Sequence, residues 1–471
     1  MSHPQTVAWC TAAALAGATP VLAQSQPDAE ALATEVAALR QAVAALQARI
    51  DAMEAAGRSL PSASDSAASA VASPGAAPTA SWTTSASTTT GPPARNTIGD
   101  ELTGAARADT AAPPNDPQLR GFIPIPGTGT MVKLSGFAKV NAIYDFGPAG
   151  NPDKLITSTI PIGGGDAHNA NLDATATRFS FDVRRPSALG PLRFYLENDF
   201  YGGAGSTAFR LRQAHGQVGN TYAGYGYSAF TDSDALPETL DDEGPNAGAL
   251  LRVAAIRQIW KLGGGATATL SVEDPSSELI LGAGQASAQP APDVVGAVRL
   301  QGSWGHVQTS AALRRLGYNQ GDRHDGAFGY GLNLSGLFKL GGDFAMAGFT
   351  YGDGAARYFN DLGGSGYDGL IQPDGDLRTL SVYGGYLGYT RHWSPRWRSN
   401  LVGGVVVLER DALLDPTAFR SSGYGAVNLI WAVSSTFSVG VEALYGRHEL
   451  QNGEDADVTR LQASLKYDFV R

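Results

Sequence analysis

The sequence predicts an all-β transmembrane protein, a 16-stranded antiparallel outer-membrane β-barrel with an N-terminal α-helical coiled-coil segment. Three observations lead to this fold class. From Met131 onward, short segments alternate apolar and polar residues with the period of β-strands. The connections between them alternate between tight turns and longer loops. Many charged residues lie on the face of a strand opposite the apolar face, whereas a soluble barrel keeps its apolar residues inside.

Composition excludes several other classes. Only 17% of the 471 residues are charged, below the roughly 25% of soluble domains. No apolar run reaches the ~18 residues that a transmembrane helix needs. The formal net charge of −10 argues against a nucleic-acid partner.

Residues 1–23 are predicted to be a secretory signal peptide. Residues 7–18 form a small apolar core, and the tripeptide VLA before Gln24 fits a small-residue cleavage site, although no Lys or Arg precedes the core. The only cysteine of the chain, Cys10, lies inside this segment. The mature chain is therefore expected to contain no disulfide.

Residues 28–56 are predicted to form a coiled coil, with a lone amphipathic helix as the alternative. Apolar residues recur with alternating spacings of four and three, as in a heptad seam, and Glu35 and Arg40 occupy flanking g and e positions. The seam consists of Leu32, Val36, Leu39, Val43, Leu46, Ile50 and Met53. Its β-branched and Leu/Met positions by themselves favour a dimer. Residues 57–130, rich in Ala, Ser, Thr, Pro and Gly, are predicted to be a flexible linker, and residues 131–471 the barrel.

Counting connections gives the number of strands. Tight turns are expected at 185–191, 219–220, 261–265, 303–306, 339–343, 392–396 and 434–436. Longer loops are expected near 147–175, 202–206, 231–247, 274–292, 318–325, 353–376, 410–420 and 448–457. Seven turns and eight loops make fifteen connections and sixteen strands. An even number places both barrel ends on the short-turn side, which is periplasmic, and the coiled coil and linker are expected there too.

Aromatic residues near strand ends are expected to form interfacial girdles. They are Tyr144, Phe200, Tyr201, Tyr227, Trp260, Tyr318, Trp393, Trp397, Tyr445 and Phe469.

The basic residues of the strands are candidates for the wall of a water-filled lumen, since a charge on the lipid face is unfavourable. They are Lys139, Arg178, Arg193, Arg210, Arg212, Arg252, Arg299 and Arg314. Arginine binds carboxylates well, because its planar fork donates two hydrogen bonds at once. The alternative is that these residues pair with lumen acids and only stabilise the wall. Those acids are Asp182, Glu197, Asp199, Glu273 and Glu442.

Motifs for catalysis are absent. The sequence contains no GxxxxGK[ST], HExxH or GxSxG, and its histidines are scattered without ligand spacing. No catalytic residue, cofactor or metal is therefore expected, although a site assembled from separate strands remains a minor alternative.

Three segments carry a resemblance to a known family. They are RFSFDVRRPSALGPLRFYLENDFYGG, FRLRQAHGQVGNTYAGYGYSAFTDSDALPETLDDEGPN and VGVEALYGRHE. They resemble the DcaP-type outer-membrane porins of Gram-negative bacteria, and so does the heptad segment before the barrel. The resemblance implies a homotrimeric sixteen-strand channel with a periplasmic coiled coil. It also implies diffusive uptake of small, mostly negatively charged molecules such as dicarboxylates. We therefore expect a trimer rather than the dimer that the seam alone favours.

The acidic third loop is the candidate constriction, because in sixteen-strand porins the third loop generally folds inward. Its acids are expected to face Arg178, Arg193, Arg210 and Arg212 across the lumen, and Pro237 and Pro245 to help hold the loop in one shape. The loop residues are Asp232, Asp234, Pro237, Glu238, Asp241, Asp242 and Glu243. The loop lacks the spacing of an EF-hand calcium loop. A solvent-facing acidic loop is the alternative.

The function expected from these features is passive diffusion of small, preferably anionic solutes across the outer membrane. A weakly selective porin is one alternative. Another is an envelope tether that acts through the coiled coil, with the pore secondary. The expected partners are outer-membrane lipid, small anions and two further copies of the chain, with a possible periplasmic or cell-wall contact through the N-terminal segment.

Overall fold

The structure is a computed structural model that describes residues 121–203 and 207–469. The predicted signal peptide, the coiled coil and residues 57–120 of the linker lie outside the described residues. Within the rest of the predicted linker, Ile123–Ile125 forms a short strand that pairs with the first barrel strand.

Sixteen antiparallel strands form one closed barrel. They are β1 Thr130–Asp145, β2 Asn169–Asp173 continued as Arg178–Arg185, β3 Leu192–Asp199, β4 Arg210–Val218, β5 Thr221–Tyr227, β6 Arg252–Gly263, β7 Ala266–Glu273, β8 Asp293–Gly302, β9 Gly305–Gln320, β10 Arg323–Leu340, β11 Asp343–Asp353, β12 Ser381–His392, β13 Trp397–Leu408, β14 Phe419–Ala432, β15 Phe437–Leu450 and β16 Asp455–Asp468. Each strand pairs with the next, and β1 pairs with β16 from Phe137↔Asp468 to Asp145↔Arg460. The predicted 16-stranded antiparallel barrel is confirmed, whereas the coiled-coil part of the prediction falls outside the described residues.

The two faces of the strands have opposite polarity. In β16, Leu461 and Leu465 are exposed on the outside, whereas Arg460, Gln462 and Ser464 point inward and are buried. Since a strand alternates its side chains strictly, this pattern lines the lumen with polar groups and surrounds the barrel with an apolar band. None of the helices in the described ranges combines the length and the apolar character needed to span a membrane.

One of the predicted long loops does not exist. Residues 318–325 continue β9 and β10 into a hairpin, in which Gln320 pairs with Arg323 and Gly321 takes a φ of 59° at the tip. Its polar sequence, YNQGDRHD, resembles a loop because a hairpin that rises above the membrane meets water on both faces. The same effect shortens the predicted loop 448–457 to residues 451–454.

The longer connections carry little regular structure. Three short 3₁₀ helices occur, at Thr157–Thr159, Ser233–Ala235 and Ala356–Tyr358. Segments Leu279–Ile280, Gly369–Ile371 and Leu377–Thr379 form a small sheet between two loops. We call residues 146–168 loop 1, 228–251 loop 3 and 354–380 loop 6.

The aromatic girdles are only partly as expected. Tyr144, Trp260, Trp393, Trp397, Tyr445 and Phe469 are exposed on the outer surface. Tyr227 and Tyr318 are buried instead, with exposed fractions of 1% and 0%. Both are buried because their hydroxyl groups bind partners: Tyr227 accepts hydrogen bonds from two arginines, and Tyr318 donates to the Gly375 carbonyl. Tyr201 is not in a girdle either, since its ring lies beneath Lys154 and Arg210.

The apolar band makes a testable prediction at Leu334. This exposed residue lies on the outer face of β10, midway between the aromatic residues Tyr330 and Phe338. An arginine near the bilayer midplane costs ~2–4 kcal/mol, and one near an interface ~0–1 kcal/mol. We expect Leu334→Arg to lower the free energy of unfolding by about that larger amount, and Leu340→Arg, at the strand end, to have little effect. Urea unfolding in lipid vesicles measures both, and equal losses would contradict the assigned depth.

Candidate functional site

Loop 3 crosses the inside of the barrel. It leaves β5 after Tyr227 and returns at Arg252, yet its partners lie on strands of the opposite wall. The Ser310 hydroxyl on β9 donates to the Phe230 carbonyl at 2.8 Å. Near the other end of the loop, the Asn246 amide donates to the Ser422 hydroxyl on β14 at 2.9 Å. Loop 3 therefore narrows the lumen.

Glycines in the wall make room for this loop. A Cβ atom added at Gly388 would lie 2.5 Å from the Cβ of Pro237, and one at Gly440 would lie 2.9 Å from both methyl groups of Leu240. Pro237 and Pro245 further restrict the backbone of the loop, because the proline ring fixes φ. The loop thus packs directly against the bare backbone of β12 and β15.

The first acidic pair of the loop binds β8, β9 and β10. Arg299 contacts Asp232 at 3.1 Å and Asp234 at 2.6 Å. Asp232 also accepts a hydrogen bond from the Ser335 hydroxyl, and His306 Nε2 lies 2.9 Å from its carboxylate. The carboxylates of Asp232 and Asp234 and the ring of His306 lie close enough together to bind one cation. The guanidinium group of Arg299 is the cation that contacts both carboxylates.

The same contacts determine the pKa values of the two acids. Burial opposes ionisation of Asp232, but the hydrogen bond and charge of His306, with Arg299, hold its pKa below the usual value. Burial raises the pKa of Asp234, with a further contribution from the charge of Asp232.

Three further acids of the loop also bind cations. Glu238 accepts two hydrogen bonds from Arg398 of β13, at 2.7 and 2.6 Å. The ammonium group of Lys139 on β1 lies 2.9 Å from both carboxylate oxygens of Asp242. Lys154 of loop 1 contacts Glu243 at 2.9 Å.

The sequence-based expectation was that the acids of loop 3 face the arginines across the lumen. Within the described residues their ion pairs are formed with Lys139, Lys154, Arg299 and Arg398, and not with Arg178, Arg193, Arg210 or Arg212. Lys139 and Arg299, expected to line the pore, hold the loop instead.

Asp241 is buried without forming an ion pair in the described structure. Its carboxylate accepts hydrogen bonds from the Leu155 amide at 3.1 Å and the Tyr424 hydroxyl at 3.4 Å. Glu442 lies beside it and accepts the amides of Leu240 and Asp241. Burial raises the pKa of Asp241 to about 7, with Glu442 and Glu243 adding to the shift and Arg460 opposing it.

Asp361 of loop 6 is held in a similar way. It accepts hydrogen bonds from the hydroxyl groups of Thr157 and Ser422 at 2.6 and 2.7 Å. Burial raises its pKa to about 6 in spite of these hydrogen bonds. Loops 1, 3 and 6 are therefore joined through buried carboxylates.

Four arginines line the wall that faces loop 3 from its own side of the barrel. They are Arg178 on β2, Arg210 and Arg212 on β4, and Arg252 on β6. Together with loop 3 they bound a cavity of about 420 Å³. Glu238, Asp242 and Glu243 of the loop line the same cavity.

The four arginines have only two carboxylate partners in the described part of the chain. Arg212 contacts Glu197 at 2.6 Å and Asp199 at 2.9 Å. Arg210 also contacts Asp199, at 2.6 Å, and Arg178 lies 3.7 Å from Glu197.

Arg252 is the exception among these arginines. It donates to the hydroxyl of Tyr227 at 2.7 Å, and Arg212 donates to the same oxygen at 3.1 Å. Within the described ranges, no carboxylate lies within ion-pair distance of Arg252. Four guanidinium groups and two carboxylates leave this cluster with an excess of positive charge.

The remaining predicted wall residues lie elsewhere. Arg193 pairs with Asp182 at 3.0 Å near the short-turn end of β3. Arg314 was expected to face the pore, but its side chain is fully buried and contacts Asp293 at 3.1 Å and Asp368 at 2.8 Å. These ion pairs of Arg314 fix loop 6 to the barrel wall. Strand alternation predicts that Arg314 points inward, but it does not predict the contact with loop 6.

Several site residues were not recognised in the sequence. Tyr227 was assigned to the aromatic girdle, and Lys154 lies in a loop without a pattern. Arg398 follows Trp397 at a tight turn, where a basic residue is typical of a membrane edge. For Tyr227 a signal existed, because its hydroxyl had to find a partner if the side chain pointed into the lumen.

The buried carboxylate of Asp241 makes the stability of the loop depend on pH. A folded-state pKa near 7, above the unfolded value of 3.8, means that the folded protein binds the proton more tightly. The contribution is unfavourable above pH 7 and is relieved as the pH falls through 7. We expect stability to rise by about 1.4 kcal/mol between pH 8 and pH 6 from this group. Asp241→Asn should remove this part of the slope, which hydrogen exchange of the loop amides measures; an unchanged slope would contradict the assignment.

Comparisons with known proteins agree with this architecture. Residues 120–469 match the family model described as the porin subfamily. The outer membrane channel DcaP of Acinetobacter baumannii superimposes with a TM-score of 0.67 at 21% sequence identity, covering 74% of this chain and 99% of that chain. An anion-selective porin from Comamonas acidovorans gives a TM-score of 0.49 at 12% identity, covering 72% of this chain and 100% of that chain. A search of curated proteins found no significant match.

The structural likeness to the DcaP channel shows a shared fold, and the family model covers well over half of the chain. The family expected from the sequence is thereby confirmed. The chain belongs to the porin subfamily and is an outer-membrane porin.

Proposed function

We propose that the protein mediates passive diffusion of small, preferably anionic solutes through the opening between loop 3 and the arginine cluster. The arginine cluster is the set Arg178, Arg210, Arg212 and Arg252. The observation that carries the proposal is its charge balance, since only Glu197 and Asp199 pair with these four residues. An anion that passes the narrowest part of the lumen meets guanidinium groups that the protein does not neutralise.

The opposite side of the opening does not cancel this charge. Asp232, Asp234, Glu238, Asp242 and Glu243 are the paired acids of loop 3. Their partners are Arg299, Arg398, Lys139 and Lys154, with His306 beside Asp232. The loop side is therefore nearly balanced, and the excess of the arginine cluster sets the sign of the local field. In a narrow polar lumen such a field raises the local concentration of the opposite ion.

The geometry of arginine suits carboxylate solutes. Each guanidinium presents two parallel N–H donors that match a carboxylate, and the side chains of the cluster come from β2, β4 and β6 and line one cavity. A dicarboxylate can contact two of them at once. These contacts replace water molecules around the carboxylates but do not enclose the solute. They therefore favour entry of the solute into the lumen and still permit its release.

A weakly selective porin is the second candidate. It is favoured by the ion pairs themselves, since Arg210 and Arg212 already bind Asp199 and Glu197 closely. The two candidates differ in the contribution of Arg178 and Arg252 to the field in the lumen. Arg178 lies 3.7 Å from Glu197, and Arg252 donates to the hydroxyl of Tyr227 instead of a carboxylate.

Ion selectivity tests the proposal directly. Reversal potentials in planar bilayers under a KCl gradient should show chloride preference in the wild type. Replacing both Arg178 and Arg252 by Gln leaves two arginines against two carboxylates, and we expect the chloride-to-potassium permeability ratio to fall several-fold, toward one. The preference should also shrink as salt rises, because the screening length falls from about 10 Å at 0.1 M to about 3 Å at 1 M.

The matched control is the double variant Arg185→Gln, Lys339→Gln. Both residues are exposed, at the ends of β2 and β10, and neither lines the cavity. This variant also removes two positive charges and should leave the ratio unchanged. Cation preference in the wild type, or an unchanged ratio in the double variant, would refute the anion proposal.

We further propose that the N-terminal segment lies in the periplasm and supports a homotrimer through its coiled coil. The heptad seam supports association between copies of the chain, and the number of three is what the resemblance to the DcaP-type porins implies. A Leu39→Asp, Leu46→Asp double substitution places charges in the seam, and we expect it to reduce the fraction of trimer seen by unheated gel electrophoresis. Placing Asp at Gln41 and Ala48 instead, which the heptad register puts at f positions outside the seam, is the control. Trimers that persist in the seam variant would show that the barrel assembles without it.

A further inference from the structure

Arg315 is one of the barrel arginines that point away from the lumen. Arg315 lies on the outer face of β9, two residues after Leu313, which is 64% exposed. Its cross-strand partner on β10 is Phe328, which is 80% exposed. The preceding residue, Arg314, points inward and is buried. Strand alternation therefore places the charge of Arg315 on the surface that faces lipid.

The height of Arg315 follows from the aromatic residues of the same hairpin. Trp304 and Phe338 stack at the short-turn end of the hairpin, with ring centroids 5.9 Å apart. Tyr330 and Tyr351 meet on the outer surface farther up, with centroids 6.1 Å apart. Arg315 lies one outward pair above Tyr330, because Leu313 pairs with Tyr330 and Arg315 with Phe328. Arg315 is ten residues from Gly305, each residue of a strand advances about 3.3 Å, and the strands tilt by roughly 40° from the barrel axis. Arg315 therefore lies roughly 25 Å above Gly305 along that axis, which is the height of the apolar band.

Arg315 is held flat on the hairpin without an acidic partner. Its guanidinium carbon lies 4.6 Å from the centroid of the Phe328 ring. Gly326 lies beside this contact, since an added Cβ would touch an Arg315 nitrogen at the ordinary contact distance of 3.4 Å, while it would meet the Leu316 carbonyl oxygen at 2.5 Å. In the part of the chain that the structure describes, no carboxylate lies within ion-pair distance of Arg315. Asp325, farther up the hairpin, accepts the Leu377 amide at 2.7 Å.

A second outward arginine shows the contrast. Arg447 on β15 lies two residues above Tyr445, which is exposed on the outer surface, and so occupies a comparable height. It contacts Asp455 of β16 at 3.3 Å. At that position the protein supplies its own counter-charge. At Arg315 no described carboxylate comes within ion-pair distance, and the nearby charge of Asp325 acts only without direct contact.

We propose that Arg315 and Phe328 form a binding point for the phosphate group of a phosphorylated glycolipid in the outer leaflet. At the upper edge of the apolar band, the fixed anions available to an outward charge are lipid phosphates. The guanidinium fork binds phosphate through two hydrogen bonds, and its stacking on Phe328 keeps the fork oriented. The exposed ring of Phe328 and the side chain of Leu313 below it meet the acyl chains of the same lipid.

The test uses the full-length protein in detergent micelles and purified bisphosphorylated lipid A as the probe, with native mass spectrometry as the readout. We expect Arg315→Gln to weaken binding about tenfold, as the loss of a charge-assisted hydrogen-bonded contact does. Arg447→Gln is the matched control and should bind as the wild type does. Arg315→Lys, which keeps the charge but loses the fork, should fall between wild type and Arg315→Gln.

Each other outcome overturns the proposal. Equal binding by wild type and Arg315→Gln would show that the arginine does not contact the lipid. Equal binding of dephosphorylated lipid A would show that the phosphate is not recognised. Full competition by millimolar inorganic phosphate would indicate a site for free anions. Loss of trimers in Arg315→Gln with unchanged lipid binding would indicate that a second copy of the chain covers this surface.

Discussion

The pairing of β1 with β16 is the interaction on which the rest of the structure depends. A sheet that crosses a bilayer has no water to satisfy its edge, so every backbone N–H and C=O needs a partner within the sheet. The register from Phe137↔Asp468 to Asp145↔Arg460 supplies those partners for the last edge. Closure also separates the two faces completely. One face meets lipid and tolerates almost no charge, and the other encloses the polar side chains.

That enclosure explains why the interior is so densely paired. Charged side chains excluded from the lipid face are concentrated in a narrow space, where an unpaired charge is costly and a paired one is stable. Loop 3 relieves part of this crowding by bringing five acids to cations of β1, β8, β13 and loop 1. Tyr227 binds Arg212 and Arg252 without adding a negative charge. The excess of arginine in the cluster persists because, in the described structure, no acid of a loop comes within ion-pair distance of Arg178 or Arg252, and the carboxylate that contacts Arg178 is Glu197 of β3.

Sequence patterns were sufficient for the strands because alternation is a local property. The face of Leu461 or Arg460 follows from its immediate neighbours, and so does the count of sixteen. The partners of a charge are not local. In the sequence, Arg314 has the alternation pattern of any inward-pointing arginine of a strand. Its ion-pair partner Asp368, however, lies 54 positions away in loop 6. The path of loop 3 likewise depends on which strands lie opposite once the barrel is closed. The segment 318–325 misled the prediction because polarity cannot distinguish a loop from a hairpin standing in water.

The glycines at 388 and 440 have a consequence for how such a channel can change. They determine how deeply loop 3 packs into the far wall, and hence how much of the cross-section stays open. The width of the passage therefore depends on wall residues behind the loop. No permeating solute touches these residues. A lineage can widen or narrow its pore by small steps at these positions, and keep its ion preference while the size limit for solutes drifts.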